Sequence, residues 1–527
     1  MSFLRINIPK TVYFKLDGTV ALETLPESIQ HSLPVEWSLK QCSSLEERRY
    51  FYDTFQWQAF DKETVIVKKK NLLSLVNLNT GHEITSAPFK ENPASFFPEA
   101  LPDCKLKEEL YSYSTLRAFI KLCSIHVFTR LYQLLDENKK TIATLSLESL
   151  YPAGNSKEKA LIHFFSITPN RGYEKAIATF EGLLKENSLI GKRFDYKALF
   201  LSIINTSGHN VDDYSPKIRL QLDPNASIHE SAIRLLKFTV SIMRRNEDGI
   251  RKNIDSEFLH DYRVAIRRTR SILKQLKGVF DAGETEYFLN AFRDLGKRTN
   301  ELRDSDVYLL REGTYLNYLP PFLRPSLGLF FNEIENVRRK SHKQFCSYLS
   351  SPEYHSFLLK WETYLCKPSY TTSKEAPNAS RATLSFAVDT LKKAWKKVIR
   401  HGRLISKEAT DAELHGLRID CKKLRYLLEF FASVFPDKTI TPVIQKLKKL
   451  QEQLGDVVDY GVQLNFLHHQ LTVMAADKLL AASTGGLMAS LFQHQQQARL
   501  KFHKTFCAFD NEETNQLFHD LLTGAEL

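Results

Sequence analysis

The spacing of apolar and polar residues changes character partway along the chain. Up to about residue 205, short runs alternate with a period near two. Thr11–Leu16 predicts a strand ahead of an Asp17-Gly18 turn, and Tyr50–Thr54, Val65–Lys68, Leu73–Leu78, His126–Leu135 and Thr141–Leu150 predict further strands, with Asn79-Thr80-Gly81 as a turn. Helical spacing enters this half at Leu106–Lys121 and Tyr173–Lys185. The expected product is an antiparallel sheet with a few helices. Breakers crowd residues 206–225, which read as a linker, and beyond them a helical period holds almost to the end. A second polar, proline-bearing stretch at 369–380 divides that half, and Gly485-Gly486 reads as a loop between helices. The fold class is therefore α+β and multidomain: a β-rich domain over 1–205, then helical units over 226–368 and 381–520.

Two of the predicted helices share an unusual polar face. His260, Arg263, Arg267, Arg270 and Lys274 fall on one face about 80° wide at 100° per residue. Tyr262, Ile266, Ile272, Leu273, Leu276 and Phe280 occupy the opposite, core-facing side. The pattern returns as His415, Arg418, Lys422 and Arg425, backed by Leu417, Cys421, Leu424, Leu427, Leu428 and Phe431. A constant shift of 155 maps His260 onto His415, Arg263 onto Arg418, Arg267-Arg268 onto Lys422-Lys423 and Arg270 onto Arg425. Without a gap it also maps Val279-Phe280 onto Val434-Phe435 and Asp304 onto Asp459. Two copies of one helical unit are expected, related by a pseudo-two-fold axis that turns both basic rows toward a shared cleft. The second row is one cation shorter, because Glu429 stands where Lys274 would be. Thr410 and Glu413 have capping-box spacing and place the start of the second basic helix.

Composition narrows the partner. The net charge of +12 and pI near 9.1 favour a polyanion: nucleic acid, an anionic surface or polyphosphate. The seven cysteines are scattered without a C-x-x-C pair, which suits reduced thiols better than a disulfide framework or a zinc site. The N-terminus lacks the apolar core of a signal peptide, and no run of about 18 apolar residues offers a membrane span. The cytoplasm is the expected location, with no membrane partner.

The chemistry of the rows follows from their geometry. Arginine presents a planar fork that engages two phosphate oxygens at once. Cations repeated once per helical turn match an anion whose charge repeats along a line, and residues 260–274 span about 21 Å at 1.5 Å per residue. A bound phosphate would favour the imidazolium of His260 and His415 and so tighter binding at mildly acidic pH. The bland alternative, a solvated basic face, does not account for a second copy in register. Arg268 and Lys423 adjoin the rows, and Arg303, Lys446 and Lys449 are secondary candidates. Arg338-Arg339-Lys340 and Lys446-x-Lys448-Lys449 either extend the cleft or lie in solvent. Asp304, Asp306 and Asp459 are expected to cap helices or orient arginines rather than to hold a metal. No cofactor and no metal is expected.

These residues resemble the CHAD family. The matching pieces are His260-x-x-Arg263-x-x-x-Arg267-Arg268-x-Arg270 with Leu302-Arg303-Asp304-Ser305-Asp306-Val307, and His415-x-x-Arg418-x-x-x-Lys422-Lys423-x-Arg425-Tyr426 with Leu450-Gln451-x-x-Leu454-Gly455-x-x-x-Asp459. Asn300 departs from the glycine usual in that family. The resemblance covers roughly 225–510 and implies two four-helix bundles around a basic cavity that binds inorganic polyphosphate without chemistry, with polyphosphate granules as a further partner.

The first 205 residues resemble a diverged CYTH-like domain, a β tunnel that handles triphosphates with a divalent metal. Tyr50-Phe51-Tyr52-Asp53-Thr54 is similar to the Tyr-x-Asp-Thr strand of that family, and Lys68, Lys70, Arg117, Lys121, Arg130 and Lys197 are similar to its basic positions. Its Glu-x-Glu-x-Lys strand has no counterpart in Thr11–Leu16, and Glu36-x-Ser38-x-Lys40 lacks the second acid. Glu148 reads as a solvated strand-end residue. Without paired carboxylates for Mg²⁺ or Mn²⁺, hydrolysis should be poor and the protein is expected to be a binder, not an enzyme. A metal-dependent triphosphatase or polyphosphatase and a nucleic-acid binder are the alternatives. The basic helices lack the interleaved aromatics of stacking platforms.

Overall fold

The computed structural model describes residues 11–16, 23–152, 160, 162–191, 193–367, 374–406, 408–473 and 478–523. The Asp17-Gly18 turn and the start of the 369–380 stretch lie outside them. The chain divides into two compact units, 1–215 and 216–527.

The first unit is a single antiparallel sheet with helices against it. Its strands are β1 (Val12–Lys15), β2 (Ser38–Thr54), β3 (Thr64–Lys69), β4 (Leu72–Asn77), β5 (Glu83–Pro88), β6 (Ser95–Phe96), β7 (Phe119–Leu135), β8 (Thr141–Pro152), β9 (Ile162–Pro169) and β10 (Arg193–Phe194). They pair in the order β10-β1-β9-β8-β7-β2-β3-β4-β5, with β6 on β7. The helices are α1 (Leu25–Ser32), α2 (Gln58–Asp61), α3 (Lys105–Tyr113), α4 (Glu174–Glu186) and α5 (Tyr196–Thr206). Alternation sets which face each residue buries. Phe51, Val65, Val67, Ile125 and Val127 pack with Leu199, Phe200 and Ile203 of α5, whereas Ile66, Leu73 and Leu75 pack with Leu106 and Leu110 of α3. A third core joins Phe14, Leu145, Phe165 and Ile167 to Ile29 of α1 and Phe180 of α4.

Two expectations for this unit are corrected. The helical patch at Leu106–Lys121 stops at Tyr113. Ser114 takes an extended backbone and β7 begins at Phe119, where a β-branched and aromatic run suits a pleated surface better than a helix. Glu148 is not a solvated strand end. It lies within β8, largely buried, and accepts a 2.6 Å hydrogen bond from Arg49 Nη1.

The helical unit comprises α6 (Ile228–Arg251), α7 (Ser256–Gln275), α8 (Ala282–Arg298), α9 (Asn300–Leu310), α10 (Glu312–Asn317), α11 (Arg324–Leu349) and α12 (Pro352–Leu365), then α13 (Thr383–Arg403), α14 (Asp411–Phe430), α15 (Asp437–Val473), α16 (Lys478–Phe509) and α17 (Glu512–Thr523). Helices starting at 228, 256 and 282 recur at 383, 411 and 437, a constant offset of 155. The two copies also exchange equivalent bonds. Ile228 N–H donates to Arg381 O at 2.8 Å, and Thr383 N–H donates to Ala226 O at 2.9 Å. Each donor and each acceptor is 155 residues from its counterpart, so the contact is reciprocal, as an isologous interface requires.

Local sequence sets the helix starts. Ser227, Asp255 and Asp281 cap α6, α7 and α8 through their side chains. Thr410 and Glu413 form the full capping box at α14. The apolar faces of α7 and α14 named above are all buried. One difference between the copies matters below. The first repeat breaks its third helix at Thr299, giving α8 and α9, whereas the second continues through Leu454-Gly455 as the single helix α15. Gly485-Gly486 is not a loop. It lies inside α16, where a Cβ on Gly486 would stand 3.0 Å from Leu319, so the small residue admits close packing. No helix among the described residues is long and apolar enough to cross a membrane.

Candidate anion-binding cleft

Packing of the apolar faces of α7 and α14 into the core leaves their cationic faces toward solvent at the junction of the two repeats. Arg267, Lys274 and His415 are exposed, and Arg270 is half-buried. Among the described residues, no hydrogen bond or ion pair engages any of these four. Lys422, on the second row, has its ammonium pushed down to about 8, first by loss of solvent and then by Arg418 and Arg267. Arg267 belongs to the first repeat, so the two rows lie within electrostatic reach of each other.

Arg263 and Arg418 are anchored at matching positions by different means. Arg418 Nη2 bonds Asp459 at 3.0 Å. Arg263 instead clasps the α8–α9 break: Nη1 donates to Gly296 O at 3.1 Å and to the Thr299 hydroxyl, and Nη2 donates to Asn300 Oδ1 at 3.0 Å. Asp304, the counterpart of Asp459, still acts electrostatically on Arg263. Burial and then Arg267 push the Arg263 guanidinium down to about 10. The Nε of Arg263 and the Nε of Arg418 are both buried without an acceptor among the described residues.

A hollow of about 150 Å³ lies beside the first row, lined by Arg263, Arg267, Arg270, Arg293, Lys297 and Asn300 among others. Arg293 and Lys297 come from α8 and were not singled out in the sequence. Arg293 is close enough to Arg270 to lower its pKa further, after burial. Among the described residues, Asp294 pairs with both members of the α8 pair, 3.9 Å from Arg293 and 3.3 Å from Lys297. The signal available was their spacing of four, which puts them on one helix face. The same offset of 155 lands on Lys448 and Glu452, which pair with each other at 3.7 Å. The first repeat is therefore the more cationic side.

Other sequence candidates have structural partners. Arg268 donates to Pro216 O and bonds Glu429 at 3.2 Å. Arg425 bonds Glu429 at 2.8 Å and Gln451 at 2.9 Å. Lys423 bonds Asp420 at 3.3 Å, on the side of α14 that faces Lys397 and His401. His260 Nδ1 accepts from Arg303 Nη2 at 2.9 Å; a guanidinium only donates, so Nε2 of the neutral ring carries the proton. Arg303 is thus a positioning residue. Arg338 bonds Asp306 at 2.7 Å and Lys446 bonds Glu513 at 2.9 Å, while Lys449 is exposed.

In the sheet unit, the Tyr-x-Asp-Thr segment is structural. The buried Asp53 carboxylate accepts N–H bonds from Thr54, Ala59 and Phe60, closing the turn into α2. Burial pushes its pKa up to about 7 against those bonds. Lys68 is buried and donates to Lys70 O and Asn92 Oδ1. Arg49 sits between Glu47 and Glu148, 2.6 Å from each.

Residues 234–468, within the helical unit, match the model of the CHAD domain family. An uncharacterized protein of Mycobacterium tuberculosis (strain CDC 1551 / Oshkosh), MT2285, is 26% identical over 236 residues, 43% of this chain and 42% of that protein. The chain thus spans less than half the length of that relative. Two solved structures are also similar. The crystal structure of the CHAD domain from the plant Ricinus communis has a TM-score of 0.47 and 22% identity, over 55% of this chain and 96% of that one. PptA from Streptomyces chartreusis has a TM-score of 0.42 and 17% identity, over 53% of this chain and 99% of that one.

Proposed function

We propose that the helical unit binds inorganic polyphosphate, without chemistry, in the cleft between the basic faces of α7 and α14. The observation that carries this reading is that Arg267 of the first row and Lys422 of the second, both exposed, lie within electrostatic reach of each other although they come from opposite repeats. Gathering like charges costs free energy, and more so where solvent is depleted. A line of phosphates between the rows offsets that cost, and guanidinium forks engage its oxygens two at a time. His260 and the exposed His415 stand near the helix starts as further phosphate contacts. The match of residues 234–468 to the CHAD family adds support, since polyphosphate binding is what the resemblance implies. The cytoplasm and its polyphosphate stores are the setting in this reading.

The sheet unit is, in the same reading, a diverged CYTH-like domain that does not hydrolyse phosphate anhydrides. The support is that Glu47 and Glu148 are engaged by Arg49. The test of the whole proposal is competition at equal phosphate concentration and moderate salt. Polyphosphate should hold its place against DNA and RNA; displacement by either overturns the reading in favour of nucleic acid.

A further inference from the structure

One cavity in the helical unit is not basic. It encloses about 640 Å³ between α9, α11 and α15. Tyr308, Phe330, Ile334 and Phe466 form apolar and aromatic walls, and Glu301, Asp304, Glu333 and Asp459 bring carboxylates from all three helices. Arg311 is the one cation among the lining residues, against four carboxylates. The space therefore repels the polyphosphate proposed for the neighbouring cleft.

A second observation points to a ligand with N–H donors. Gln463 lines the cavity and is 5% exposed, yet its Oε1 has no hydrogen-bond partner among the described residues. A buried amide oxygen left without a donor costs free energy that a bound donor restores. Glu333 stands exposed at the cavity, with no ion pair or hydrogen bond to it among the described residues.

We propose that this cavity binds an organic ammonium: a protonated amine carried on an apolar, preferably aromatic, body. Glu333 and the Gln463 oxygen receive the ammonium, since Asp459 is paired with Arg418 and Glu301 accepts from Ser341, and the rings of Tyr308, Phe330 and Phe466 receive the body and add cation–π attraction. The size of the cavity falls in the range of small-molecule sites, which combine apolar walls with a few convergent polar groups. This binding does not depend on the polyphosphate reading, because it is measured without any polyanion.

The test uses the full-length protein and three probes of matched shape: phenethylammonium, phenylethyl alcohol and phenylacetate. Calorimetric titration should give saturable binding of the ammonium, at least about tenfold tighter than the alcohol, with no detectable binding of the acid. Glu333→Gln should weaken the ammonium by about threefold to tenfold while leaving the alcohol unchanged. Val462 lines the cavity and is 61% exposed, so Val462→Trp narrows the space without disturbing the core. It should abolish binding of both the ammonium and the alcohol. Equal affinity for the ammonium and the alcohol, or wild-type ammonium binding by Val462→Trp, overturns the proposal.

Discussion

Arg268 of the first repeat and Arg425 of the second are held by the two oxygens of one carboxylate, Glu429, at 3.2 and 2.8 Å. Glu429 occupies the position of Lys274 in the other copy, so one change of sign turns a fifth cation of the row into a clasp between the repeats. The clasp stabilises the junction but withdraws Arg425 from the cleft. Glu429→Gln should therefore trade stability for binding. Leaving two part-buried arginines without their shared partner should cost about 1–2 kcal/mol, and affinity for polyphosphate should rise about threefold to tenfold. Thermal melting and titration calorimetry on the same variant check both signs.

Lys422 should carry a pH signature. Its folded pKa, about 8, lies below the ordinary lysine range, so the free fold holds fewer protons than the unfolded chain between about pH 8 and that range. The sign follows: the Lys422 contribution destabilises the free protein below about pH 8 and is relieved as pH rises through it. A bound anion keeps the ammonium charged, so polyphosphate affinity should fall from pH 7 to pH 9. Lys422→Met should remove most of that pH dependence, raise the melting temperature of the free protein by on the order of 1 °C, and weaken binding. Melting and titration at pH 7 and pH 9 decide it.

The first unit yields a stability prediction. Arg49→Met would leave Glu47 and Glu148 largely buried and without their shared cation. Breaking such a cluster from one side costs about 3–5 kcal/mol. Circular dichroism should show early loss of the sheet, with the helical signal retained to higher temperature. Incubation of the wild type with tripolyphosphate and Mg²⁺ or Mn²⁺ should release phosphate at the background rate.

How much of this was legible in the sequence depends on how local each cause is. The offset of 155, the capping box at Thr410 and the buried faces of α7 and α14 rest on periodicity and short-range chemistry, and the structure repeats them residue for residue. Arg293 and Lys297 escaped notice because their role depends on α8 packing beside α7, a tertiary fact. The role of Glu429 escaped for the same reason. Its substitution for a lysine was visible, but its two arginine partners belong to different repeats. In the sheet, Glu148 was misread because its partner Arg49 is 99 residues away and meets it only through β-strand pairing. Gly485-Gly486 was misread because glycine signals a break locally, whereas here close approach to Leu319 favours the small residue within a helix.

The most direct test of the central claim is titration of polyphosphate into the wild type and into the Arg267→Glu/Lys422→Glu double variant at physiological ionic strength. These substitutions put one reversed charge on each row while leaving both apolar faces intact. The account predicts a loss of affinity of at least about hundredfold, with a shallower dependence on salt because fewer counterions are displaced. Unchanged affinity in a folded double variant would contradict it.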